Sequence, residues 1–305
     1  MTRTGPSSWR GRTAMPEWLL GLCAKLLRYC GPQGAWLLCR ILSPAYMLVG
    51  GRGQFGMPAY WRALGQRRGA SLRLPLLWRQ NTSFARILCD RVLLPTHPAA
   101  YRLQVAGGAA FRELMDGPGG VILISAHVGN WELSSWCLPM VGGRPRAVHL
   151  VMVQAELPFA QGEMDRRLRS GMHLIDPRTG VAAGLAVGQA LAAGGVVCML
   201  ADRVMPGQAA VEVPFLGHRV RMPTGPFQAA VASGAPLVPC FMLRRGRAGY
   251  DLLLGPALYV TSSRAGRAAA VTTAAATWAR MLECVVRHRP LQWHNFYNYF
   301  QPEPR

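Results

Sequence analysis

The chain is organised around Val121-Ile122-Leu123-Ile124-Ser125-Ala126-His127-Val128-Gly129-Asn130-Trp131-Glu132, in a sequence of 305 residues. The apolar run that opens this stretch is typical of a buried strand. The run ends at a histidine, and residues 133–140 after the stretch predict a helix. A strand that delivers a histidine to its carboxyl end, just before a helix, is the usual place of an active site in an open α/β sheet.

His127 and Glu132 are the residues of this stretch best suited to chemistry. Histidine takes a proton readily near neutral pH, and a carboxylate can fix its tautomer, as the acid of a catalytic triad does. The pattern alone leaves a second interpretation open, in which His127 is a loop residue and Glu132 a first-turn acid that favours the helix dipole. A zinc site is disfavoured, because residues five apart do not share a helix face and no Cys or His nearby has ligand spacing.

The sequence His127-Val-Gly-Asn-Trp-Glu132 resembles the His-x4-Asp/Glu motif of the lysophospholipid acyltransferase superfamily. It is most similar to the branch that contains the bacterial lipid A secondary acyltransferases. Further blocks between residues 80 and 300 resemble this family in the expected order: Arg169-Ser-Gly-Met-His-Leu-Ile-Asp176, Gly194-Gly-Val-Val-Cys-Met-Leu-Ala-Asp-Arg203, Val213-Pro-Phe-Leu-Gly217, Met222-Pro-Thr-Gly-Pro226 and Gly234-Ala-Pro-Leu-Val-Pro239. Several blocks in order are more specific than the histidine motif alone.

The resemblance implies transfer of a fatty acyl group from an acyl carrier protein or coenzyme A thioester to a hydroxyl of a lipid or glycolipid. The chain has no G-x-S-x-G elbow, so a covalent serine intermediate is not indicated. We expect His127 to deprotonate the acceptor hydroxyl and Glu132 to orient His127. Backbone N–H groups, with those of Gly129 and Asn130 as candidates, or an arginine are expected to stabilise the oxyanion. This mechanism requires neither a metal nor a cofactor.

The other candidate substrate-binding residues are Asn130, Arg169, Asp202, Arg203, Arg221, Thr224 and Gly225. Arg169 matches an arginine that the family keeps, and its guanidinium suits a phosphate or an acceptor oxyanion. Asp202 and Arg203 follow a predicted strand at its functional end. They are expected to serve the site or to pair with each other.

Residues 221–226 predict a loop that enters a helix. Thr224 is placed to cap this helix and Pro226 to lie in its first turn. With Arg219 and Arg221 nearby, the helix N-terminus suits an anionic headgroup or a phosphopantetheine arm. The aromatic tail 289–300 resembles the Pro-x-Gln-Trp ending of the family, and we expect it to pack on the active-site face.

The charge is strongly basic, with a formal net charge of +20 and a pI of about 11.0. Lys25 is the only lysine, and residues 1–104 carry 15 basic against 2 acidic side chains. Such a surface suits nucleic acid, an anionic membrane or acidic substrates. No zinc-finger spacing or RNP-type motif supports nucleic acid. We therefore expect an anionic membrane surface and an acidic carrier protein as partners.

The chain is predicted to have three parts: a disordered basic terminus 1–14, a membrane-associating helical segment 15–75 and an acyltransferase domain 76–305. Charges interrupt the apolar stretch 15–48, and no small-residue cleavage site follows it. An amphipathic helix in the membrane interface, with Trp18 and Trp36 as anchors, fits better than a clean span. Ordinary core helices remain an alternative. We expect the protein at the cytoplasmic face of the bacterial inner membrane, peripheral or held by a single N-terminal anchor.

The fold is predicted to be α/β, with a mixed, mostly parallel central sheet flanked by helices. Residues 181–201 carry no charge, yet their glycines favour a helix over 185–193 and a buried strand over 196–201. The eight cysteines form no C-x-x-C pair and lie mostly in apolar runs, so we interpret them as reduced. Two rival functions remain, a catalytically silent membrane-binding protein of this fold and an Arg-rich nucleic-acid binder.

Overall fold

The structure, a computed structural model, describes residues 17–49, 57–65, 70–94, 97–153, 172–263, 265–296 and 299–300. The predicted disordered terminus 1–14 lies outside these residues. So does Arg169.

Helices and strands alternate through the central part of the chain. The helices are α1 (Glu17–Val49), α2 (Met57–Ala63), α3 (Ala70–Leu93), α4 (Gly108–Asp116), α5 (Trp131–Val141), α6 (Val181–Ala192), α7 (Gly225–Ser233) and α8 (Arg267–His288). The strands are β1 (Arg102–Ala106), β2 (Val121–Ser125), β3 (Val148–Val151), β4 (Met172–Ile175), β5 (Val196–Leu200), β6 (Ala210–Phe215), β7 (His218–Pro223), β8 (Leu237–Arg245) and β9 (Gly249–Leu254). The predicted α/β class is confirmed.

A seven-stranded sheet in the order β1-β9-β8-β2-β5-β3-β4 forms the centre of the fold. Strands β8 and β9 run antiparallel, and the other neighbouring pairs run parallel. Strand β2 lies between β8 and β5, and its Ser125 is in register with Leu200. The loops that leave β2 and β5 therefore begin at the same level of the same sheet edge.

Strand β2 is buried on both faces, which explains its unbroken apolar run. Ile122 and Ile124 face a core cluster formed with α2, α6, α7, α8 and the β6–β7 hairpin. Val121 and Leu123 face a second cluster formed with α4 and α5. Helices thus cover both sides of the sheet around this strand.

The uncharged stretch 181–201 divides as the sequence predicts, into α6 and β5. Helix α6 begins four residues earlier than predicted. Gly194 ends it with a φ of 75°, and a Cβ there would lie 2.9 Å from the carbonyl oxygen of Pro118. Among the described helices, none combines the length and the apolar character needed to cross a membrane.

Helix α1 packs on α3 and is broken at Gly31 (φ 63°, ψ −170°). Leu27, Ala35 and Cys39 are buried on its inner side. The boundary predicted between residues 75 and 76 falls inside α3. Trp36, the predicted membrane anchor, is half-buried, with the guanidinium of Arg40 5.0 Å from its ring centroid.

A buried carboxylate ties α3 to the sheet. Asp90 is fully buried and accepts hydrogen bonds from the hydroxyl of Tyr101 (2.7 Å), the hydroxyl of Tyr250 (2.7 Å) and Nε of Arg244 (2.6 Å). Burial and the nearby Asp90 charge raise the pKa of Tyr250, so this hydroxyl keeps its proton and acts as a donor. These bonds fix the end of α3 against β8 and β9.

We expect Asp90→Asn to lower the free energy of unfolding by about 3–5 kcal/mol, because the buried Arg244 charge loses its partner. Denaturant unfolding followed by circular dichroism measures this loss. Glu212→Gln is the matched control, since Glu212 pairs with Arg219 in an exposed ion pair and is expected to contribute less than about 1 kcal/mol. Equal losses in both variants would contradict this assignment.

Candidate active site

The loop between β2 and α5 is held from two sides. The N–H of Gly129 donates to the carbonyl of Gln292 (2.8 Å), and that of Asn130 donates to the carbonyl of Met242 on β8 (2.8 Å). Gly129 has a φ of 62°, and a Cβ there would lie 2.1 Å from the Met242 oxygen. Only glycine fits this position, so the loop follows one path across the end of β2.

His127 lies in this loop and bonds to Asp202, which leaves the end of β5. Its Nδ1 is 2.8 Å from Oδ1 of Asp202, and its backbone N–H donates to Oδ2 at 3.1 Å. Asp202 is fully buried, and the His127 side chain is 18% exposed. The strand register brings the two residues together, because each follows its strand by two positions.

Glu132 does not hold the position expected for it. The carboxylate on Nδ1 of His127 is Asp202, whereas Glu132 forms a buried ion pair with Arg91 (2.7 Å). Glu132 lies in the first turn of α5, where its charge also favours the helix N-terminus. We therefore correct the predicted His127–Glu132 pair to a His127–Asp202 pair.

The electrostatics of the pair favour a neutral imidazole. Burial and the charge of Arg203 lower the pKa of His127, although Asp202 acts in the opposite direction. Burial raises the pKa of Asp202, but the charge of His127 and its hydrogen bond outweigh burial and lower this pKa overall. At neutral pH the ionised Asp202 accepts a hydrogen bond from the Nδ1–H group of His127. The Nε2 lone pair is then in the form a general base requires.

Arg91 contacts three successive residues of the motif. It pairs with Glu132, its Nε donates to Oδ1 of Asn130 (3.4 Å), and its guanidinium carbon lies 5.8 Å from the ring centroid of Trp131. Trp131 in turn meets the His127 ring edge-on at 5.7 Å. Arg91 has no predicted role, because its only signal in the sequence is its place next to Asp90 near the end of an apolar helical pattern.

The expected oxyanion donors are also corrected. The N–H groups of Gly129 and Asn130 already donate to carbonyl groups of Gln292 and Met242, so they are not directed at a substrate. The Asn130 side chain is fully buried and donates from Nδ2 to the hydroxyl of Tyr250 (3.2 Å). Asn130 therefore positions the loop, and its contact with substrate stays a prediction.

The remaining predicted residues in the described part of the chain lie in the loop after β5, on β7 and at the start of α7. Arg203 donates to Oδ1 of Asn295 (3.0 Å) and to the carbonyl of His294 (2.7 Å), so it holds the C-terminal segment. Thr224 stands at the N-terminus of α7, but its hydroxyl donates to the carbonyl of Ala209 instead of capping the helix. Pro226 lies in the first turn, as predicted.

Arg221 and Gly225 lie on either side of Thr224. Arg221 is exposed on β7, opposite Glu212 of β6. Gly225 opens α7, and a Cβ there would lie 3.9 Å from the Cε methyl of Met199 on β5. The start of α7 thus lies beside the strand that carries Asp202.

A cleft lies between the sheet and α5, near the end of β2. Its empty space is about 440 Å³ when the open solvent at its mouth is counted, but only about 30 Å³ of it admits the centre of a water-sized group. Ser125, Trp131 and Glu132 line it near the end of β2, and Leu123, Cys198 and Leu150 line it from three neighbouring strands. The lining is mostly apolar, and it starts beside the ring that contacts His127.

The C-terminal segment packs on the loop, as the sequence predicts. The N–H of His294 donates to the carbonyl of His127 (2.9 Å). The His294 ring is buried beside Phe84 and Phe296. Burial and the charges of Arg91, Arg203 and His127 lower its pKa to about 3, so His294 stays neutral.

We expect His127 to titrate below its ordinary pKa of about 6.5, and Asp202→Asn to lower this pKa further, because the Asp202 charge favours the imidazolium. NMR titration of the imidazole resonances measures both values. A His127 pKa above 6.5, or a rise in Asp202→Asn, would contradict the electrostatics described above.

Comparison with known proteins assigns the chain to a family. Residues 79–301 match the family described as bacterial lipid A biosynthesis acyltransferase. Two relatives are phosphatidylinositol mannoside acyltransferases of Mycobacterium tuberculosis, one from strain ATCC 25618/H37Rv and one from strain CDC 1551/Oshkosh. Each is 31% identical over 226 residues, which cover 72% of this chain and 68% of the relative. The chain therefore belongs to the bacterial lipid A biosynthesis acyltransferase family, and it is an acyltransferase of lipid biosynthesis.

Proposed function

We propose that the protein transfers a fatty acyl group from a thioester to a hydroxyl of a glycolipid, with His127 as the general base. The observation that supports this most directly is the bond between Nδ1 of His127 and the buried Asp202 carboxylate. This bond fixes the tautomer whose Nε2 accepts a proton. The Asp202 charge then stabilises the imidazolium that forms.

The proposed reaction has two steps and no covalent enzyme intermediate. The acceptor hydroxyl gives its proton to Nε2 of His127, and its oxygen attacks the thioester carbonyl carbon to form a tetrahedral oxyanion. The carbon–sulfur bond then breaks, and the leaving thiolate takes the proton from His127. General base catalysis of this kind contributes roughly 10² to 10⁴-fold.

Arg91 is the candidate for stabilising the oxyanion. Its guanidinium is 14% exposed and is held by Glu132 beside the Trp131 ring. A fixed positive charge near the developing oxyanion lowers the barrier because it needs no reorganisation during the reaction. In this proposal Glu132 contributes to catalysis by holding Arg91, and Asp202 takes the role first expected of Glu132.

The apolar cleft is the candidate site for the acyl chain. It begins at Trp131, beside His127, and continues past Leu123 and Cys198. Because only about 30 Å³ of the cleft admits a water-sized group, it must widen to take the chain of an acyl group whose carbonyl carbon lies near Nε2. Sites for apolar ligands usually combine such a lining with few polar groups at the mouth.

The acceptor and donor are proposed from charge and from the relatives. The relatives are named for phosphatidylinositol mannoside, so we propose a mannosylated glycolipid as the first acceptor to test. The net charge of +20 would steer an acidic acyl carrier protein or the anionic coenzyme A. The intact His127–Asp202 pair speaks against a catalytically silent protein.

We expect His127→Ala to abolish acylation, because the hydroxyl then has no base. Purified protein is mixed with acyl carrier protein or coenzyme A thioesters and a mycobacterial lipid extract, and products are measured by mass spectrometry. His288→Ala is the matched control, since His288 is exposed on α8. No product with either donor, or equal product from His127→Ala, would rule out the proposed mechanism.

We also propose that α1 docks the protein on an anionic membrane at the cytoplasmic face of the inner membrane. Its outward side exposes large apolar side chains, with Tyr29 92%, Ile41 62% and Leu37 54% exposed. The exposed Lys25 and Arg40 lie on the same helix. An apolar face flanked by basic residues is the composition that binds an interface of anionic lipid.

We expect Leu37→Asp/Ile41→Asp to weaken binding to vesicles of phosphatidylglycerol and phosphatidylcholine at least about tenfold, because two exposed apolar side chains that would enter the lipid are replaced by charges that anionic lipid repels. Sedimentation with vesicles measures the bound fraction. Val181→Asp/Leu185→Asp is the matched control, since it changes the charge equally on the exposed face of α6. An equal loss in both variants would place the docking surface elsewhere.

A further inference from the structure

We propose that Trp293 is a positioning residue of the reaction, whose indole N–H sets the orientation and the basicity of the His127–Asp202 pair. Its Nε1 donates to Oδ2 of Asp202 at 3.1 Å. The inference rests on the proposed function in one respect, since it takes this pair as the base. In the sequence, Trp293 is marked only as the last residue of the Pro-x-Gln-Trp ending, which predicts packing.

The donors on Asp202 come from two distant parts of the chain. Oδ1 faces Nδ1 of His127, whereas Oδ2 accepts from the His127 backbone N–H and from Trp293. Without the indole, the described hydrogen bonds to this carboxylate all come from His127. Trp293 is thus the described contact that fixes the carboxylate independently of the residue it orients.

The chemistry of the indole suits this role. An indole N–H donates and does not accept, and it does not titrate in the range in which proteins fold. It therefore stabilises the ionised Asp202 at every working pH without offering His127 a competing acceptor. A serine or histidine at the same place would be able to reverse its hydrogen bond or change its charge.

The indole itself is held in place by packing. Trp293 is fully buried, and its ring meets Tyr60 at 5.0 Å, Phe215 at 5.3 Å and Tyr299 at 5.0 Å between centroids. These contacts come from α2, from the β6–β7 hairpin and from the C-terminal segment. The direction of the indole N–H is consequently set by three parts of the chain other than the loop between β2 and α5, which carries His127.

Backbone bonds on both sides of Trp293 fasten the same segment to the catalytic loop. Gln292 accepts from the N–H of Gly129, and the N–H of His294 donates to the carbonyl of His127. The side chain of Gln292 also accepts from the N–H of Arg244 and donates to its carbonyl, both at 2.8 Å. The indole therefore reaches Asp202 from a rigid frame that already contains the His127 backbone.

The sign of the expected effect follows from the charge on Asp202. A donated N–H disperses part of the carboxylate charge, so its removal strengthens the attraction between Asp202 and the imidazolium. The pKa of His127 should then rise, and the neutral base should be lost at a higher pH. A purely structural role for Trp293 would change the amount of folded enzyme and leave this pKa where it is.

The test is Trp293→Phe in the full chain, which keeps an aromatic ring and removes the N–H. We expect the acid limb of the pH profile of kcat/KM to move up by roughly 0.5 to 1 pH unit. We expect kcat to fall about tenfold, while KM stays close to the wild-type value, because the base is misplaced and the binding cleft is not. NMR titration of His127 should show a pKa shift in the same direction.

Trp278→Phe is the matched control. Trp278 is also fully buried, but its Nε1 donates to the neutral carbonyl of Ala201 at 3.1 Å. We expect this variant to lose stability and to keep the acid limb of the wild type. An unchanged acid limb in Trp293→Phe, or an equal shift in Trp278→Phe, would overturn the proposal.

A second replacement separates folding from hydrogen bonding. Benzothienylalanine at position 293 has the shape of tryptophan and no N–H, so it preserves the packing with Tyr60 and Phe215. It should reproduce the shift of Trp293→Phe, and a wild-type profile would overturn the proposal. If the wild-type protein transfers no acyl group, the proposed function fails, whereas the NMR shift of His127 in the Trp293 variants still decides the inference.

Discussion

The bond between His127 and Asp202 depends on the register of two neighbouring parallel strands. Ser125 of β2 is paired with Leu200 of β5, and both residues end their strands. His127 and Asp202 each come two residues after the end of their strand. A shift of one residue would turn either side chain to the other face of the sheet. Alternate side chains of β2 pack in two different core clusters, so the apolar core and the candidate catalytic pair depend on the same alignment.

Buried carboxylates hold the site from two sides. Asp202 accepts hydrogen bonds from the loop between β2 and α5 and from the C-terminal segment. Asp90 accepts hydrogen bonds from Tyr101, Tyr250 and Arg244. Tyr250 also contacts Asn130, which links the Asp90 cluster to the motif. Burial of a charge is tolerated only when such partners are present. The two clusters therefore make the position of the loop depend on residues that are far apart in the chain.

The predictions are confirmed for features that depend on residues close together in the chain. The strand over 121–125, the division of 181–201 and the placement of Asp202 at the functional edge all follow from apolar runs, glycines and strand order. The partner of His127 was wrong because Glu132 is near in sequence, whereas Asp202 is brought near by pairing between strands. The roles of Arg91 and Trp293 depend on contacts between segments that no periodicity connects.

The positive charges around His127 act in opposite directions on the proposed reaction. Arg203 disfavours the imidazolium and lowers the pKa of His127, which keeps the base neutral but makes it weaker. Positive charge of the same kind, supplied by Arg91, favours the oxyanion that forms when the proton is taken. Asp202 offsets the first effect because it stabilises the imidazolium directly. The site can thus combine a base that is ready at neutral pH with a field that favours negative charge on the substrate, provided that the Asp202 carboxylate stays in place.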